Sequence, residues 1–348
     1  MHDFISGIQQ VGIGVHDAQV SARKYKALFG LDTLVFDDVA KAALMTQYTG
    51  GTVHNRRAIL SMNLDGGGGF EIWQYKSRTP VEPTELPQYG DLGINSPKIK
   101  CKNVAAAHKH CINEGTWVSE IQTNPAGEQH FWVKDHYGNI FNVVEGWHWF
   151  QQTGKATGGV SGAVIGVKDM DRAIVLYRDV LGISDLVFDV TETFSDNPTS
   201  TPGKYRRVLL KKPQSGKGGF GKLLGSIEIE LVQALDREPA KIFANRYWGD
   251  CGFIHLCFDV INMDGLKKVA SEHDFDFSVD SLNSFDMESA AGRFCYIESP
   301  EGTLIELVET HKVPVLKKLG LFINLKKRNL EKPLPDWMVK LLAISKVK

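Results

Sequence analysis

The chain opens with alternating apolar and polar residues, a pattern that predicts a β-strand. Asp17 then stands where a helix N-cap residue is expected, apolar residues recur at helical spacing, and Gly30 marks the end of the helix. Three further extended segments follow before the next long loop. This order of elements predicts one βαβββ module.

The same pattern returns three more times along the chain. Residues 7–37 align without a gap with residues 159–189, and "RRAIL" at 56–60 resembles "RRVLL" at 206–210. A second module begins near Pro97 and a fourth with the run "FIHLCFDV", and the endings of these two modules also align. Because internal repeats indicate repeated structural units, the sequence predicts an α+β fold of four βαβββ modules.

The length of 348 residues exceeds that of a usual single domain. We therefore predict two domains, residues 1–152 with modules 1 and 2 and residues 153–312 with modules 3 and 4, followed by a basic C-terminal tail at 313–348. The tail mixes basic and apolar residues, as segments that bind a membrane surface or a partner do. Docking of its apolar face on the chain's own domains is the alternative that we favour.

Charge and cysteine content exclude several function classes. A formal net charge of −1 gives no broad cationic field, so we expect no nucleic-acid partner. No apolar run approaches ~18 residues, so we expect no integral membrane segment. The five cysteines are an odd number without a C-x-x-C pair, which predicts reduced thiols and a cytoplasmic location. We also expect a monomer with pseudo-dimeric domains.

The module borders carry a recognisable motif. An "x-x-V-G-I-x-V-x-D" opening and a "P-x-G-x-x-x-E-L-V-E" ending resemble the vicinal oxygen chelate superfamily over roughly residues 5–312. That superfamily includes glyoxalase I, methylmalonyl-CoA epimerase, extradiol ring-cleaving dioxygenases and metal-free antibiotic-binding proteins such as bleomycin resistance proteins. The resemblance implies a glyoxalase-like fold in which the modules pair into two cup-shaped sheets. Each module then offers one residue of its first strand and one of its last strand to a metal.

In the order of modules 1 to 4, the eight positions that correspond to these ligands are Gln10 and Glu71, Ser96 and Asn142, Gly162 and Glu230, and His255 and Glu306. Modules 1 and 4 together resemble the metal site of glyoxalase I with a complete set: Gln10, Glu71, His255 and Glu306. Modules 3 and 4 give the alternative set of Glu230, His255 and Glu306. Modules 2 and 3 offer too few donors, so we expect their sheet to hold no metal.

Three of the candidate carboxylates interrupt strands whose other residues are apolar: Glu71, Glu230 and Glu306. Burying an unpaired carboxylate costs several kcal/mol, so such residues need a common partner. A lone histidine on an apolar strand, as His255 is, more often makes an internal hydrogen bond. The three carboxylates favour a metal instead, with Glu230 the one most suited to an internal polar contact.

The resemblance implies a divalent-metal-dependent lyase or isomerase of the glyoxalase I or epimerase type, acting on a small-molecule substrate. One zinc, nickel, cobalt or manganese ion would hold the substrate, and Glu306 or Glu71 would abstract a proton from it. An Fe(II) extradiol dioxygenase is an alternative, although Gly162 stands where such enzymes carry a histidine. A non-catalytic small-molecule-binding protein is the second alternative.

Three further residues are candidates for substrate binding. Arg57 and Arg207 recur in the repeat and are suited to an anionic substrate group, although exposed strand positions fit them equally well. Tyr296 precedes the run "SPEG", where ring-cleaving members of the superfamily carry a tyrosine near the substrate. Packing within a strand is the simpler alternative for Tyr296.

Overall fold

The computed structural model describes residues 3–214, 216–282, 285–287, 290–316, 321–325 and 327–348. Module 1 comprises β1 (Ile5–Gly14), α1 (Ala18–Phe29), β2 (Thr33–Lys41), a 3₁₀ helix (Ala43–Tyr48), β3 (Asn55–Met62) and β4 (Gly69–Tyr75). Module 2 comprises β5 (Gly93–Cys101), α2 (Val104–Asn113), β6 (Gln122–Thr123), β7 (Gln129–Lys134) and β8 (Ile140–Glu145).

Modules 3 and 4 repeat this order with small additions. Module 3 comprises β9 (Thr157–Gly166), α3 (Met170–Ile174) with a π-helical continuation (Val175–Val180), β10 (Asp185–Glu192), β11 (Tyr205–Lys212), α4 (Gly221–Leu224) and β12 (Ile227–Ala234). Module 4 comprises β13 (Gly252–Val260), α5 (Met263–Glu272), β14 (Phe277–Asp280), β15 (Phe285–Met287), β16 (Ala290–Glu298) and β17 (Leu304–Leu316). Strand β18 (Leu321–Asn324), α6 (Asp336–Lys340) and a 3₁₀ turn (Leu341–Ile344) complete the chain.

Local capping explains why the helices begin where they do. The Asp17 side chain accepts a hydrogen bond from the Val20 backbone N–H at 2.9 Å, and Asp169 caps the helix of module 3 in the same way. Gly30 ends α1 with φ of 63°, a left-handed conformation that glycine adopts without strain. Asparagine side chains cap the helices of modules 2 and 4. The caps read from the sequence are therefore confirmed.

The strands form two curved sheets, each built from two modules. The first sheet has the order β2-β3-β4-β1-β13-β17-β16-β14, so it joins module 1 to module 4. The second sheet has the order β10-β11-β12-β9-β5-β8-β7-β6 and joins module 3 to module 2. The predicted α+β fold of four paired modules is confirmed, and the two sheets repeat one strand arrangement in a pseudo-dimeric way.

The antiparallel pairs β1–β13 and β5–β9 form the seams where the modules meet. Each sheet takes strands from both halves of the chain. The boundary near residue 152 therefore separates sequence repeats rather than sheets, and the division into domains 1–152 and 153–312 stays a prediction.

Alternation along a strand decides which side chains reach the concave face of the first sheet. In β4, Phe70 and Ile72 belong to the main apolar core that also holds α1. Glu71 and Trp73 alternate with them along the strand and so point to the opposite face. There a separate, largely aromatic cluster is buried. The helices therefore cover one face of the sheet, and the other face is available for a site.

The described end of the tail packs along the edge of module 1. The Leu34 backbone N–H donates to Ser345 O at 3.0 Å, and the Val347 N–H donates to Asp32 O at 2.9 Å. The Lys346 ammonium also lies 2.8 Å from an Asp32 carboxylate oxygen. Residues 317–320 and 326 of the tail lie outside the described residues, and the tail's role as a separate segment stays a prediction.

Among the described helices, none has both the length and the apolar character that crossing a membrane requires. The five cysteines are all buried and are free thiols: Cys101, Cys111, Cys251, Cys257 and Cys295.

Candidate metal centre

Four adjacent strands of the first sheet each contribute one polar side chain to a common point. In the order β4, β1, β13 and β17 these are Glu71, Gln10, His255 and Glu306. Ligand atoms of the two glutamates and the histidine all lie within 4.8 Å of one another. His255 Nε2 is 3.3 Å from Glu71 Oε2 and 3.2 Å from Glu306 Oε2. The predicted set is thus brought together by the pairing of modules 1 and 4.

Hydrogen bonds from two side chains hold the Glu306 carboxylate in place. Gln10 Nε2 donates a hydrogen bond to Glu306 Oε2 at 3.3 Å, and the Tyr296 hydroxyl donates to Glu306 Oε1 at 3.0 Å. The Tyr296 oxygen also lies 3.5 Å from His255 Nδ1. The Tyr296 hydroxyl proton goes to Glu306, and His255 Nε2 faces the carboxylates of Glu71 and Glu306.

The backbone makes room for the imidazole. A Cβ atom at Gly12, the residue that pairs with His255 across the seam of β1 and β13, would lie 2.4 Å from the His255 ring. Any larger residue would displace the histidine, so the glycine at position 12 is required by the site. The close approach also explains why a strand buried on both faces accommodates a histidine at all.

Gln10 Oε1 is buried and has no hydrogen-bond partner among the described residues, and the nearest groups to the buried His255 Nε2 are the two carboxylate oxygens at 3.2 and 3.3 Å. His255 is 0% exposed and Gln10 is 5% exposed, so bulk solvent does not reach them. Unpaired buried polar atoms are costly, and oxygen and nitrogen donors of this kind are common metal ligands. The residues present therefore fit a divalent metal.

The electrostatics of the group also favour a bound divalent metal. Burial lowers the pKa of His255, but the Glu306 charge and the contact with Glu71 outweigh it, and the net pKa is raised. Burial raises the pKa of Glu71, but His255 outweighs it and the net pKa is lowered. Burial and the neighbouring Glu71 charge raise the pKa of Glu306. Two carboxylates this close repel each other, and a divalent cation would neutralise both.

The equivalent point of the second sheet is built differently. Glu230 takes the place of Glu71, but Lys98 Nζ lies 2.8 Å from Glu230 Oε2 and Arg207 Nη2 lies 2.6 Å from Oε1. The Tyr89 hydroxyl donates to the same carboxylate at 3.2 Å. Burial favours the neutral acid, yet the two cations outweigh it and hold the pKa of Glu230 far below its usual range. This carboxylate is already neutralised by the protein itself.

The two arginines of the repeat lie in different environments. Arg57 pairs with Asp37 at 2.6 Å, and its structural counterpart is Arg206, which pairs with Asp189 at 2.8 Å. Arg207 follows Arg206 in β11 and pairs with Val232 of β12. The equivalent pair in the first sheet is Ala58 of β3 with Trp73 of β4. Only Arg207 therefore reaches the concave face, and there it pairs with Glu230 and with Asp196 at 2.8 Å.

The structure thus brings together five of the candidate residues: Gln10, Glu71, His255, Tyr296 and Glu306. Glu230 lies in the other sheet, so the alternative set of Glu230, His255 and Glu306 is not assembled. Ser96 and Asn142 lie in that second sheet too, and a Cβ at Gly162 would lie 2.1 Å from a backbone oxygen. The sequence reasoning missed Lys98, for which the lysine alternation in "KIKCKNV" was the available signal.

Comparison with known proteins supports the fold. No protein-family model and no curated protein sequence matches the chain. A Bacillus subtilis protein named as a "putative dioxygenase" is 13% identical with a TM-score of 0.57, covering 88% of this chain and 86% of its own. Glyoxalase I from Zea mays is 12% identical with a TM-score of 0.52, covering 87% and 92%, and a variant of it gives a TM-score of 0.54 at 12% identity, covering 87% and 93%.

At such identities a structural likeness is a likeness of fold, and fold does not fix activity. The likeness extends over nearly the whole chain and includes all four modules. The chain therefore has the fold of the vicinal oxygen chelate superfamily, assembled from four βαβββ modules in one polypeptide.

Proposed function

We propose that the protein is a divalent-metal-dependent lyase or isomerase of the glyoxalase I or epimerase type. The observation that carries the proposal is the convergence of Gln10, Glu71, His255 and Glu306 from four adjacent strands. The fold likeness to glyoxalase I from Zea mays agrees with it. These mixed oxygen and nitrogen donors suit zinc, nickel, cobalt or manganese.

The residues of the site have separate roles in this proposal. Gln10, Glu71, His255 and Glu306 would hold the metal, which would supply Lewis-acid polarisation of a substrate carbonyl. Glu71 and Glu306, on either side of His255, are the groups that take a proton from the neighbouring carbon and return it. Tyr296 orients Glu306 and His255 through its hydroxyl. The buried setting excludes bulk water from the proton transfer.

Two other activities fit the donor set less well. An Fe(II) extradiol dioxygenase holds its metal with two histidines and one carboxylate, whereas the group found among the described residues has one histidine and two carboxylates. A metal-free binding protein would leave two buried carboxylates, Glu71 and Glu306, with His255 as their shared cationic partner, an arrangement that a divalent metal neutralises more fully. The lyase or isomerase therefore remains the function that the geometry supports best.

The first test is elemental analysis of protein purified without chelator. We expect about one zinc, nickel, cobalt or manganese ion per chain, lost in a His255→Ala variant. The matched control is Ser96→Ala, since Ser96 is the counterpart of His255 in the second sheet and donates only to a backbone oxygen at 3.1 Å. That variant should keep the metal. Absence of metal from the wild-type protein, or two metals per chain, would contradict the proposal.

We also propose that the chain acts as a monomer in the cytoplasm. Both sheets are completed within one chain, so no second copy is needed to assemble the ligand set. The five free thiols agree with a reducing compartment. Light scattering should give a mass near 38.7 kDa, and twice that value would contradict the monomer.

A further inference from the structure

The candidate metal centre is covered by protein in this structure. The side chains of Glu71, His255 and Glu306 are 12%, 0% and 10% exposed. The Trp248 indole lies nearly parallel to the His255 imidazole, with ring centroids 6.2 Å apart at an angle of 21°, and Trp248 is itself buried. A substrate therefore reaches the ligand atoms only after a covering segment has moved.

The segment between β2 and β3, residues 42–54, packs against Trp248, and we call it the lid. Met45 of the lid is buried in the same apolar cluster as Trp248. The Trp248 backbone N–H also donates to Tyr48 O of the lid at 3.0 Å. The lid and this tryptophan therefore cover the metal centre together.

The hydrogen bonds from lid side chains to module 4 lie at the rim of the first sheet. The Tyr48 hydroxyl donates to the Glu298 carboxylate and lies 2.7 Å from the Ser278 hydroxyl oxygen. Gln47 Nε2 donates to Ser278 O at 2.9 Å. Because Gln47 and Glu298 are exposed, water competes for these bonds. Segments that are held by exposed hydrogen bonds open locally at a lower free-energy cost than buried segments do.

The equivalent segment of module 3 lies between β10 and β11, and we call these residues, 193–204, the plug. Both carboxylate oxygens of Asp196 in the plug lie 2.8 Å from Arg207 Nη1, and the Trp132 indole donates to Asp196 O. Arg207 is buried, so this ion pair fixes the plug inside the second sheet. The first sheet has Ala58 at the position of Arg207, and alanine offers no charge to hold the lid in this way.

We propose that the lid is a gate, which swings away from module 4 to admit a substrate to the first sheet and then closes over it, whereas the plug stays fixed. Opening breaks the rim bonds of Tyr48 and frees Trp248 to move away from His255. Closing excludes bulk water from the site during proton transfer. The inference rests on the proposed function in one respect, because the metal centre is what the gate covers.

Two backbone N–H groups report the motion of the lid and of the plug separately. The Trp248 N–H donates to Tyr48 O of the lid, and the Tyr89 N–H donates to Thr199 O of the plug, each at 3.0 Å. NMR of the full chain as purified, labelled with ¹⁵N at tryptophan and tyrosine, would measure hydrogen–deuterium exchange at both groups. We expect the Trp248 N–H to exchange about tenfold faster than the Tyr89 N–H, or more, after correction for intrinsic rates.

The same substitution in each segment tests what holds it. Tyr48→Phe removes the rim hydroxyl and keeps the ring, so the Trp248 N–H should exchange about fivefold faster than in the wild-type protein. Tyr205→Phe is the matched control, because the Tyr205 hydroxyl accepts a hydrogen bond from the Thr201 N–H of the plug at 3.0 Å. The buried ion pair of the plug remains in that variant, so exchange at the Tyr89 N–H should change less than about twofold.

Removal of the metal by EDTA gives a second measurement on the metal-loaded protein. The metal has to leave through the gate, so EDTA should remove it about fivefold faster from Tyr48→Phe than from the wild-type protein. Tyr205→Phe should lose its metal at the wild-type rate. Equal rates in the two variants would contradict passage under the lid.

The outcomes distinguish this inference from the proposed function. Equal exchange at the Trp248 and Tyr89 N–H groups, or unchanged exchange at Trp248 in Tyr48→Phe, would overturn the gate and leave the metal site standing. A protein that binds no metal would overturn the proposed function, whereas exchange at the Trp248 N–H would still decide whether the lid opens.

Discussion

Replacing Arg207 with alanine is expected to lower the free energy of unfolding by about 3–5 kcal/mol, the range measured when one partner of a buried ion pair is removed. Arg207 is 2% exposed, and its guanidinium bridges two carboxylates, Glu230 and Asp196. Alanine would leave Lys98 as the one charged partner of Glu230, beside the Tyr89 hydroxyl, and would remove the 2.8 Å ion pair of Asp196. Urea denaturation followed by fluorescence would measure the loss.

Arg57→Ala is the matched control for this experiment. Arg57 pairs with Asp37 at 2.6 Å in a partly exposed setting, where such pairs contribute about 0–1 kcal/mol. We expect the control variant to unfold within about 1 kcal/mol of the wild-type protein. A similar loss in both variants would show that the Arg207 network is not a buried neutralised cluster and would contradict this description of the second sheet.

The pH dependence gives a second readout of the same network. Arg207 and Lys98 lower the folded-state pKa of Glu230 below its unfolded-state value, despite the opposing effect of burial. The resulting stability is fully present above the unfolded-state pKa, about 4.3, and is lost as the pH falls through the folded-state value. The difference between wild type and Arg207→Ala should therefore be largest near neutral pH and should shrink below about pH 4.

Local signals explain why the four modules were predictable. Asp17 and Asp169 cap helices through bonds that span three residues, and Gly30 ends a helix through its own φ value. Such features depend on neighbouring residues only, so a single sequence displays them. Repetition then made the pattern stronger than any one copy would be.

The pairing of modules could be inferred only through chemistry. No local sequence pattern indicates that β1 pairs with β13 rather than with β5. The prediction that modules 1 and 4 pair rests on their complete donor set of Gln10, Glu71, His255 and Glu306. The strand order confirms that pairing. Whether a metal binds there is a separate matter, which stays a prediction.

The sequence comparison predicted the wrong correspondence between residues of β3 and β11. Aligning "RRAIL" with "RRVLL" matches Arg57 with Arg207, whereas the strand pairing matches Arg57 with Arg206. A shift of one residue moves a side chain from one face of a sheet to the other, so it decides whether an arginine meets solvent or a buried carboxylate. Such a shift is set by pairing with β4 and β12, which a comparison of two short segments does not contain.

Trp248 shows a different limit of the sequence. It lies in the linker between modules 3 and 4, outside the repeated pattern, so no repeat position indicates its neighbours. Its contact with His255 depends on the linker folding back over the concave face through the bond to Tyr48. Contacts of this kind follow from tertiary structure alone.

Glu71→Gln and Glu306→Gln are each expected to lower the rate of proton exchange at a substrate carbon about 10²- to 10⁴-fold, the usual contribution of general acid–base catalysis. Glutamine keeps an oxygen that can bind a metal but has no basic carboxylate, so the metal content should change far less than the rate. Glu306 is held by hydrogen bonds from Gln10 and Tyr296. Glu71 has its nearest charged partner in His255, 3.3 Å away.

Proton NMR in deuterium oxide would measure this step as the exchange of the methylene protons of 2-hydroxyacetophenone. The experiment does not require the natural substrate to be known. The probe has two adjacent oxygens, one of them a carbonyl oxygen, so it suits the proposed reaction at the metal centre. Asn142→Ala, at the counterpart of Glu306 in the second sheet, is the control and should exchange at the wild-type rate. Wild-type exchange in both glutamine variants, with metal bound, would contradict proton transfer by these carboxylates and would favour a binding protein.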